Sequence, residues 1–268
     1  MSDSVAADVA AADAPVVVEA ADGVMVITIN RPAARNAVNA AVAEGVAAAL
    51  DDLERRDDLV VGIITGAGET FCAGMDLKGF LRGERPSLPG RGFAGLTEAP
   101  PAKPFIAAVE GYALAGGCEI ALACDMVVAA RGAKFGVPEV KRGLAAAAGG
   151  LMRLPERIPR SVAMELALTG GFLLAERAYE LGLVNRLTDD GGALGEARRL
   201  AGEIAANGPL AVRASKRVIV ESRSWPASPE SERWKRQREI LDPIFTSEDA
   251  QEGARAFAEK RPPHWRGR

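Results

Sequence analysis

The chain contains 268 residues, of which 48% are hydrophobic, and this composition is sufficient for one large domain with a substantial core. The formal net charge of −3 does not favour nucleic acid or an anionic membrane as the main partner. No apolar run reaches the roughly 18 residues of a membrane-spanning helix, so no membrane span is expected. Residues 1–14 have no basic segment followed by an apolar core, so we predict a flexible tail and a cytoplasmic protein.

Cysteine and histidine content narrows the possible chemistry. The three cysteines, Cys72, Cys118 and Cys124, lack metal-ligand spacing, and their odd number favours reduced thiols. The only histidine, His264, lies close to the C-terminus, so neither a multi-histidine metal site nor a Ser-His-Asp triad in the core is expected. We therefore predict no metal site and expect acid–base chemistry from carboxylates, lysine, tyrosine or cysteine.

The first elements of the chain are a hairpin and a helix. Apolar runs at 16–20 and 24–29 flank Asp22-Gly23, a combination that predicts a β-hairpin. Asn39 is a suitable N-cap for an amphipathic helix that ends near Arg56.

Two later units each combine a buried strand with a glycine turn. The first covers 60–68 and is followed directly by 71–76, and the second covers 105–117. The second turn opens a predicted helix over 116–124, whose free N–H groups would point towards negative charge. Glu119 falls in the first turn of this helix, and Glu139 follows a proline that ends or edges another strand. Two acids near an anion-stabilising turn indicate proton-transfer chemistry.

The remaining pattern predicts an α/β fold followed by an all-helical region. We expect a long loop with a short helix over 78–103, strands at 126–130 and 183–187, a helix capped by Ser161 and running to 168, and a helix over 175–181 that Gly182 ends. Helical patterns then occupy 193–206, 210–222, 229–241 and 248–260.

The segments 71–76, 111–119 and 138–139 together resemble the crotonase (enoyl-CoA hydratase/isomerase) superfamily, and the resemblance covers residues 16–265. It also includes the motifs at 31–37, 175–184 and 252–261. The resemblance implies a crotonase-like spiral of strand-strand-helix repeats over 15–192, with an acyl-CoA thioester site. It implies a C-terminal helical trimerisation region over 193–268, a homotrimer or dimer of trimers, and no cofactor beyond the coenzyme A of the substrate.

Residue by residue, the resemblance assigns an oxyanion hole to the backbone N–H groups of Ala73 and Gly116. It assigns catalysis to Glu119 and Glu139, the two carboxylates that distinguish the hydratases of the family. The substrate-binding residues it implies are Ala73, Gly74, Met75, Asp76, Gly116 and Lys260, with Lys260 binding the nucleotide end of coenzyme A. Together these residues imply an enoyl-CoA hydratase, or its reverse dehydration.

Several alternatives stay open at this point. Hydratases of the family usually carry Pro-Gly where this chain has Ala146-Ala147, which leaves room for a carnitinyl-CoA dehydratase-like activity. An isomerase or a non-catalytic acyl-CoA-binding scaffold would retain the same fold. Asp76 is better explained as a helix cap than as a catalytic acid, and Cys72 and Cys118 are better explained by packing.

Overall fold

The computed structural model describes residues 14–226 and 230–268. All but the last residue of the predicted tail 1–14 lies outside the described residues, as does residue 229 of the predicted helix over 229–241. The strands are β1 (Val16–Ala21), β2 (Val24–Ile29), β3 (Val61–Gly66), β4 (Ser87–Leu88), β5 (Gly92–Phe93), β6 (Phe105–Val109), β7 (Tyr112–Leu114), β8 (Met126–Ala130), β9 (Lys134–Gly136), β10 (Leu173–Leu174) and β11 (Arg186–Thr188).

Ten α-helices occur in the described residues, and three of them begin at a side-chain cap, provided by Asn39, Asp76 and Ser247. The ten helices are α1 (Ala40–Arg55), α2 (Leu77–Leu81), α3 (Gly116–Ala123), α4 (Gly150–Arg157), α5 (Arg160–Thr169), α6 (Ala175–Glu180), α7 (Ala193–Ala205), α8 (Pro209–Glu221), α9 (Glu230–Phe245) and α10 (Glu248–Glu259). The predicted cap of α1 is confirmed, because the Val42 N–H donates to Asn39 Oδ1 at 3.0 Å.

The predicted hairpin is also confirmed. β1 and β2 are antiparallel, and Asp22 and Gly23 between them both have positive φ, 52° and 77°. This is the combination that a type I′ turn requires, and it matches the twist of the paired strands.

Two sheets organise the core in the strand-strand-helix pattern expected of a crotonase-like spiral. The larger sheet has the order β1-β2-β3-β6-β8-β11, and every pair except β1 with β2 is parallel. The smaller sheet has the order β10-β9-β7. The chain passes from β6 to β7 and then enters α3, and it passes from β8 to β9 before reaching α4. Each of these two turns of the spiral therefore contributes one strand to each sheet and then a helix.

Both faces of the larger sheet are covered, which explains why its strands are apolar runs without alternation. One face packs against α1, α3 and the smaller sheet, where Phe71, Phe105 and Phe135 are among the largest buried side chains. Helix α7 covers the other face through a row of small and aliphatic side chains: Ala193, Ala197, Leu200 and Ala201. The described residues include no helix long and apolar enough to cross a membrane.

Three sequence predictions need correction. Helix α5 begins at Arg160 directly after Pro159, so Ser161 lies inside it and does not cap it. The loop 78–103 contains the hairpin of β4 and β5 besides the expected short helix. The last strand begins at Arg186 instead of residue 183, because Leu183 and Val184 are buried in a turn whose N–H groups donate to Ala178.

The chain end folds back along α10 and fixes it to the core. The backbone N–H groups of Arg266 and Gly267 donate to the carboxylate of Asp249, in the first turn of the helix. The indole N–H of Trp265 donates to the Ala206 carbonyl at 2.8 Å, where α7 ends. Lys260 ends α10 in the left-handed conformation and is exposed.

Candidate active site

The turn between β7 and α3 provides one unoccupied backbone donor. Ala115 turns the chain with φ 52°, a conformation that is strained for alanine, and its N–H donates to the Gly136 carbonyl. The next N–H, that of Gly116, has no acceptor among the described residues. A Cβ on Gly116 would lie 2.5 Å from the Phe93 ring, and one on Gly117 would lie 2.1 Å from the Cys72 carbonyl oxygen. Only glycine fits at either position.

The segment 72–76 does not leave the Ala73 N–H free. This group donates to the Arg35 carbonyl at 3.0 Å, while the neighbouring Cys72 N–H donates to the Tyr112 carbonyl on the opposite side. These two successive N–H groups point to opposite sides of the segment, as they do in any strand. Because its N–H is already used within the fold, the prediction that Ala73 supplies an oxyanion donor is wrong.

Met75 carries the free donor of this segment. Gly74, with φ 100°, breaks the alternation, so that the Gly74 carbonyl accepts from Val38 and the Asp76 N–H donates to Val38. In such a parallel pairing the N–H of the residue between them points away from the partner. The Met75 N–H accordingly faces away from Val38, and no acceptor for it is present in the described part of the chain.

The two donor segments lie against each other. A Cβ on Gly74 would be 3.2 Å from the Gly116 nitrogen and 2.9 Å from the Ala115 Cβ. The Met75 and Gly116 N–H groups thus belong to neighbouring stretches of backbone, as two donors for one oxygen must.

A buried polar cluster holds the 72–76 segment in place. Asn36 is fully buried, and its amide donates to the carbonyls of Ala67 and Thr70 while its oxygen accepts from the Arg31 N–H. The Arg31 guanidinium forms an ion pair with Asp76 at 2.9 Å. Asp76 also accepts from the N–H groups of Lys78 and Gly79, which confirms it as the cap of α2.

Glu119 is the first of the two acids, and it is 3% exposed. Its Oε1 accepts from the N–H groups of Ala148 at 2.7 Å and Gly150 at 2.9 Å. Both donors belong to residues 145–150, which we call the acid loop. Burial raises the pKa of Glu119 to about 7, and these hydrogen bonds only partly oppose the effect.

Glu139 is the second acid. It lies in a short 3₁₀-helix, Pro138–Arg142, that follows β9. Its Oε2 is buried and has no hydrogen-bond partner, and burial raises its pKa. The negative charge of Glu139 adds to the effect of burial in raising the pKa of Glu119.

The remaining predicted residues divide into two groups. Burial raises the pKa of Cys72 and of Cys118 to about 12, so these thiols are neutral and pack as small apolar side chains. No contact joins the exposed Lys260 to the other predicted site residues in the described part of the chain. Within residues 14–226 and 230–268, no three histidine, cysteine or carboxylate side chains form a group that could hold a metal ion.

Known proteins share this sequence and fold. The profile of the enoyl-CoA hydratase/isomerase family matches residues 19–268. An enoyl-CoA hydratase of Mycobacterium tuberculosis is 42% identical over 255 residues, which cover 91% of this chain and 93% of the relative. A carnitinyl-CoA dehydratase of Salmonella paratyphi A is 41% identical over 252 residues, 91% of this chain and 95% of the relative. The crystal structure of an enoyl-CoA hydratase from Mycobacterium marinum, 61% identical, superposes with a TM-score of 0.93 and covers 96% of this chain and 100% of that one.

Proposed function

The chain belongs to the enoyl-CoA hydratase/isomerase family, and we propose that it adds water across the α,β double bond of an enoyl-CoA thioester, or catalyses the reverse dehydration. The pair of Glu119 and Glu139 is the observation that carries this proposal. Both carboxyl groups are largely removed from water, both have a raised pKa, and each keeps an oxygen free of protein partners. Such a pair can hold a water molecule and transfer protons near neutral pH.

The thioester oxygen would bind to the N–H groups of Met75 and Gly116. As the β-carbon gains the hydroxyl group, negative charge develops on this oxygen, and two fixed donors stabilise it where it forms. Removing one donor of this kind typically costs about 2.7–4 kcal/mol of transition-state stabilisation. The oxyanion hole therefore ranks with the acids in importance. Gly74 and Asp76 support it from either side of Met75.

In each turnover one acid of the pair gains a proton and the other loses one. With one proton shared between Glu119 and Glu139, the ionised carboxylate accepts a proton from water as its oxygen attacks the β-carbon. The protonated partner donates to the α-carbon. One water is consumed and the pair ends with the same number of protons, so the cycle can repeat. The raised pKa of Glu119, about 7, suits both directions at neutral pH.

Carnitinyl-CoA dehydration is a second candidate. Salmonella relatives that carry this name are 41% identical to the chain, close to the 42% of the M. tuberculosis hydratase. Ala146-Ala147 also stands where many hydratases have Pro-Gly, and Ala146 is buried beside Glu119 and Gly150. Dehydration uses the same two acids in the opposite direction, so this candidate changes the substrate and keeps the mechanism.

The proposal extends to the assembly and to the rest of the substrate. We propose that residues 193–268 mediate a homotrimer or a dimer of trimers, and that Lys260 binds the nucleotide end of coenzyme A. The chemistry described above needs no metal or redox cofactor, because charge stabilisation comes from backbone donors and proton transfer from carboxyl groups. A cytoplasmic location fits these roles.

A spectrophotometric assay tests the function directly. The absorbance of the conjugated enoyl thioester falls on hydration, and we expect turnover on at least one of short, medium or branched enoyl-CoA esters. Carnitinyl-CoA is assayed in parallel for the appearance of the same absorbance. A chain that turns over none of these substrates, while remaining folded by circular dichroism, would refute the proposal.

A further inference from the structure

The acid loop, residues 145–150, has no side chain of its own that could fix its shape. Its sequence is Ala145-Ala146-Ala147-Ala148-Gly149-Gly150, yet two of its N–H groups bind Glu119 Oε1 within 2.9 Å. Gly149 has φ 100°, which places the loop in a conformation that few residues adopt. A side chain outside the loop must therefore fix its conformation.

Arg153, in the first turn of α4, contacts the loop at Ala148 and Gly149. Its Nη1 lies 3.5 Å from the Ala148 carbonyl and 2.2 Å from the position that a Cβ on Gly149 would take. Its Nη2 donates to the Thr97 carbonyl at 2.6 Å, and its backbone N–H donates to the Gly149 carbonyl at 2.9 Å. Ala148 thus donates to Glu119 through its N–H and accepts from Arg153 through its carbonyl.

The charge of Arg153 has no carboxylate in salt-bridge range among the described residues. The nearby Glu156 pairs instead with Arg223. The charged and titratable groups that act on Glu119 are Glu139, which raises its pKa, and Arg153, which lowers it. The neighbouring thiol of Cys118, on the same helix as Glu119, is neutral. Burial and Glu139 are opposed first by the N–H groups of Gly150 and Ala148 and then by the charge of Arg153.

We infer that Arg153 is a positioning residue for the proposed reaction: its guanidinium holds the acid loop in the shape that lets Ala148 and Gly150 bind Glu119. The inference rests on the proposed function only for its effect on turnover. Its effect on Glu119 is a property of the folded protein and requires no substrate.

Arg157 provides a matched control. It lies one turn further along α4 and is partly buried like Arg153, but its Nη1 donates to the Cys124 carbonyl at 3.2 Å and it does not contact the acid loop. Arg157→Met removes a guanidinium of the same chemistry from the same helix. It leaves the contacts of Glu119 unchanged.

The experiment compares Arg153→Met, Arg153→Lys and Arg157→Met with the native enzyme. We expect Arg153→Met to lower kcat at least about tenfold with a change in KM below about threefold. The variant misplaces the carboxyl group of Glu119 but leaves the substrate-binding groups in place. The acidic limb of its kcat/KM profile should move to higher pH by about half a unit or more, as loss of an opposite charge requires. Arg153→Lys keeps the charge and loses the planar fork that holds the loop, so kcat should fall and the profile should still move to higher pH, because Ala148 and Gly150 hold Glu119 less firmly.

A measurement without turnover separates the two proposals. The titration of Glu119 is followed by NMR of ¹³C-labelled glutamate carboxyl groups and assigned with Glu119→Gln. An upward shift in both Arg153→Met and Arg153→Lys, with none in Arg157→Met, supports the inference even if no substrate is found, in which case the hydratase proposal alone fails. An unchanged Glu119 titration in folded Arg153→Met or Arg153→Lys, or an equal shift in Arg157→Met, overturns it, because a shift confined to Arg153→Met would come from the lost charge alone.

Discussion

The two halves of the site are held in different ways. The oxyanion side, made by residues 72–76 and 115–117, is fixed by backbone pairing, by the buried Asn36 and by the Arg31–Asp76 ion pair. The acid side, made by Glu119, Glu139 and the acid loop, instead keeps a buried oxygen without a partner and rests on a loop of alanine and glycine. Stabilising a developing charge requires rigid hydrogen-bond donors. Proton transfer instead requires carboxyl oxygens that form no hydrogen bond within the protein.

This difference predicts opposite costs of mutation. On the oxyanion side almost every polar group has a partner, so a change there should damage stability and activity together. On the acid side the carboxyl groups are destabilised by burial, so their removal should damage activity alone. Substitutions on the two sides, compared with matched controls, test that contrast.

Substitution of either acid should have the largest effect. We expect Glu119→Gln and Glu139→Gln each to reduce kcat by about 10²–10⁴-fold, the usual contribution of a positioned acid or base. The melting temperature near pH 6 should not fall, because each substitution removes a buried acid with a raised pKa. Glu165→Gln, at an exposed position on α5, is the control and should leave both quantities unchanged. Near-native turnover in both acid variants would contradict the proposed mechanism.

Gly74→Ala should break the oxyanion side. The new methyl group would collide with Ala115 and press on the Gly116 nitrogen, so the two donors would separate. We expect a kcat loss of about 10²-fold together with lower stability. Gly83→Ala is the control, because Gly83 also has a positive φ, 87°, but its Cβ would meet no atom within 4 Å. Equal losses of kcat in the two variants would show that backbone strain, not donor geometry, is responsible.

The raised pKa of Glu119 should make the free energy of unfolding depend on pH. Burial raises the pKa of Glu119 from 4.5 to about 7, so between these values the folded protein binds a proton that the unfolded chain has lost. The contribution of Glu119 to stability is therefore complete below the lower value and is lost as pH rises through the higher one. Relative to the native protein, Glu119→Gln should gain up to about 3 kcal/mol between about pH 4 and pH 8.

Denaturant unfolding of both proteins across this range measures the difference. The two free energies of unfolding should diverge as pH rises, with the variant becoming the more stable. A difference that is constant with pH would mean that Glu119 titrates normally in the folded state.

Most of the fold could be predicted from the sequence, because local signals and tertiary structure agree. The Asp22-Gly23 hairpin, the Asn39 cap and the strands at 105–109 and 126–130 all occur where the pattern places them. The short strand β7 was missed, since three residues between two glycine turns carry too little periodicity.

The site could be predicted only as far as the residue types. Glu119, Glu139 and Gly116 stand out through the motifs that contain them. The choice between Ala73 and Met75 depends on the positive φ of Gly74, which reverses the direction of one N–H, and sequence spacing does not show this. Arg153 acts through a contact between α4 and Thr97, 56 residues apart, and no local pattern reports such a contact.

Lys260 lies outside both halves of the site and should show the smallest effect. It is exposed at the end of α10, where the proposal has it bind the phosphate-bearing end of coenzyme A. An exposed ion pair contributes about 0.2–1 kcal/mol, so Lys260→Ala should raise KM less than about fivefold and leave kcat unchanged. The penalty should shrink as salt increases, because such pairs are screened over about 10 Å at 0.1 M ionic strength. Pantetheine esters lack the nucleotide, so the variant and the native enzyme should process them equally. An equal KM increase for both types of ester would remove Lys260 from the substrate-binding residues and leave it a solvated charge at the helix end.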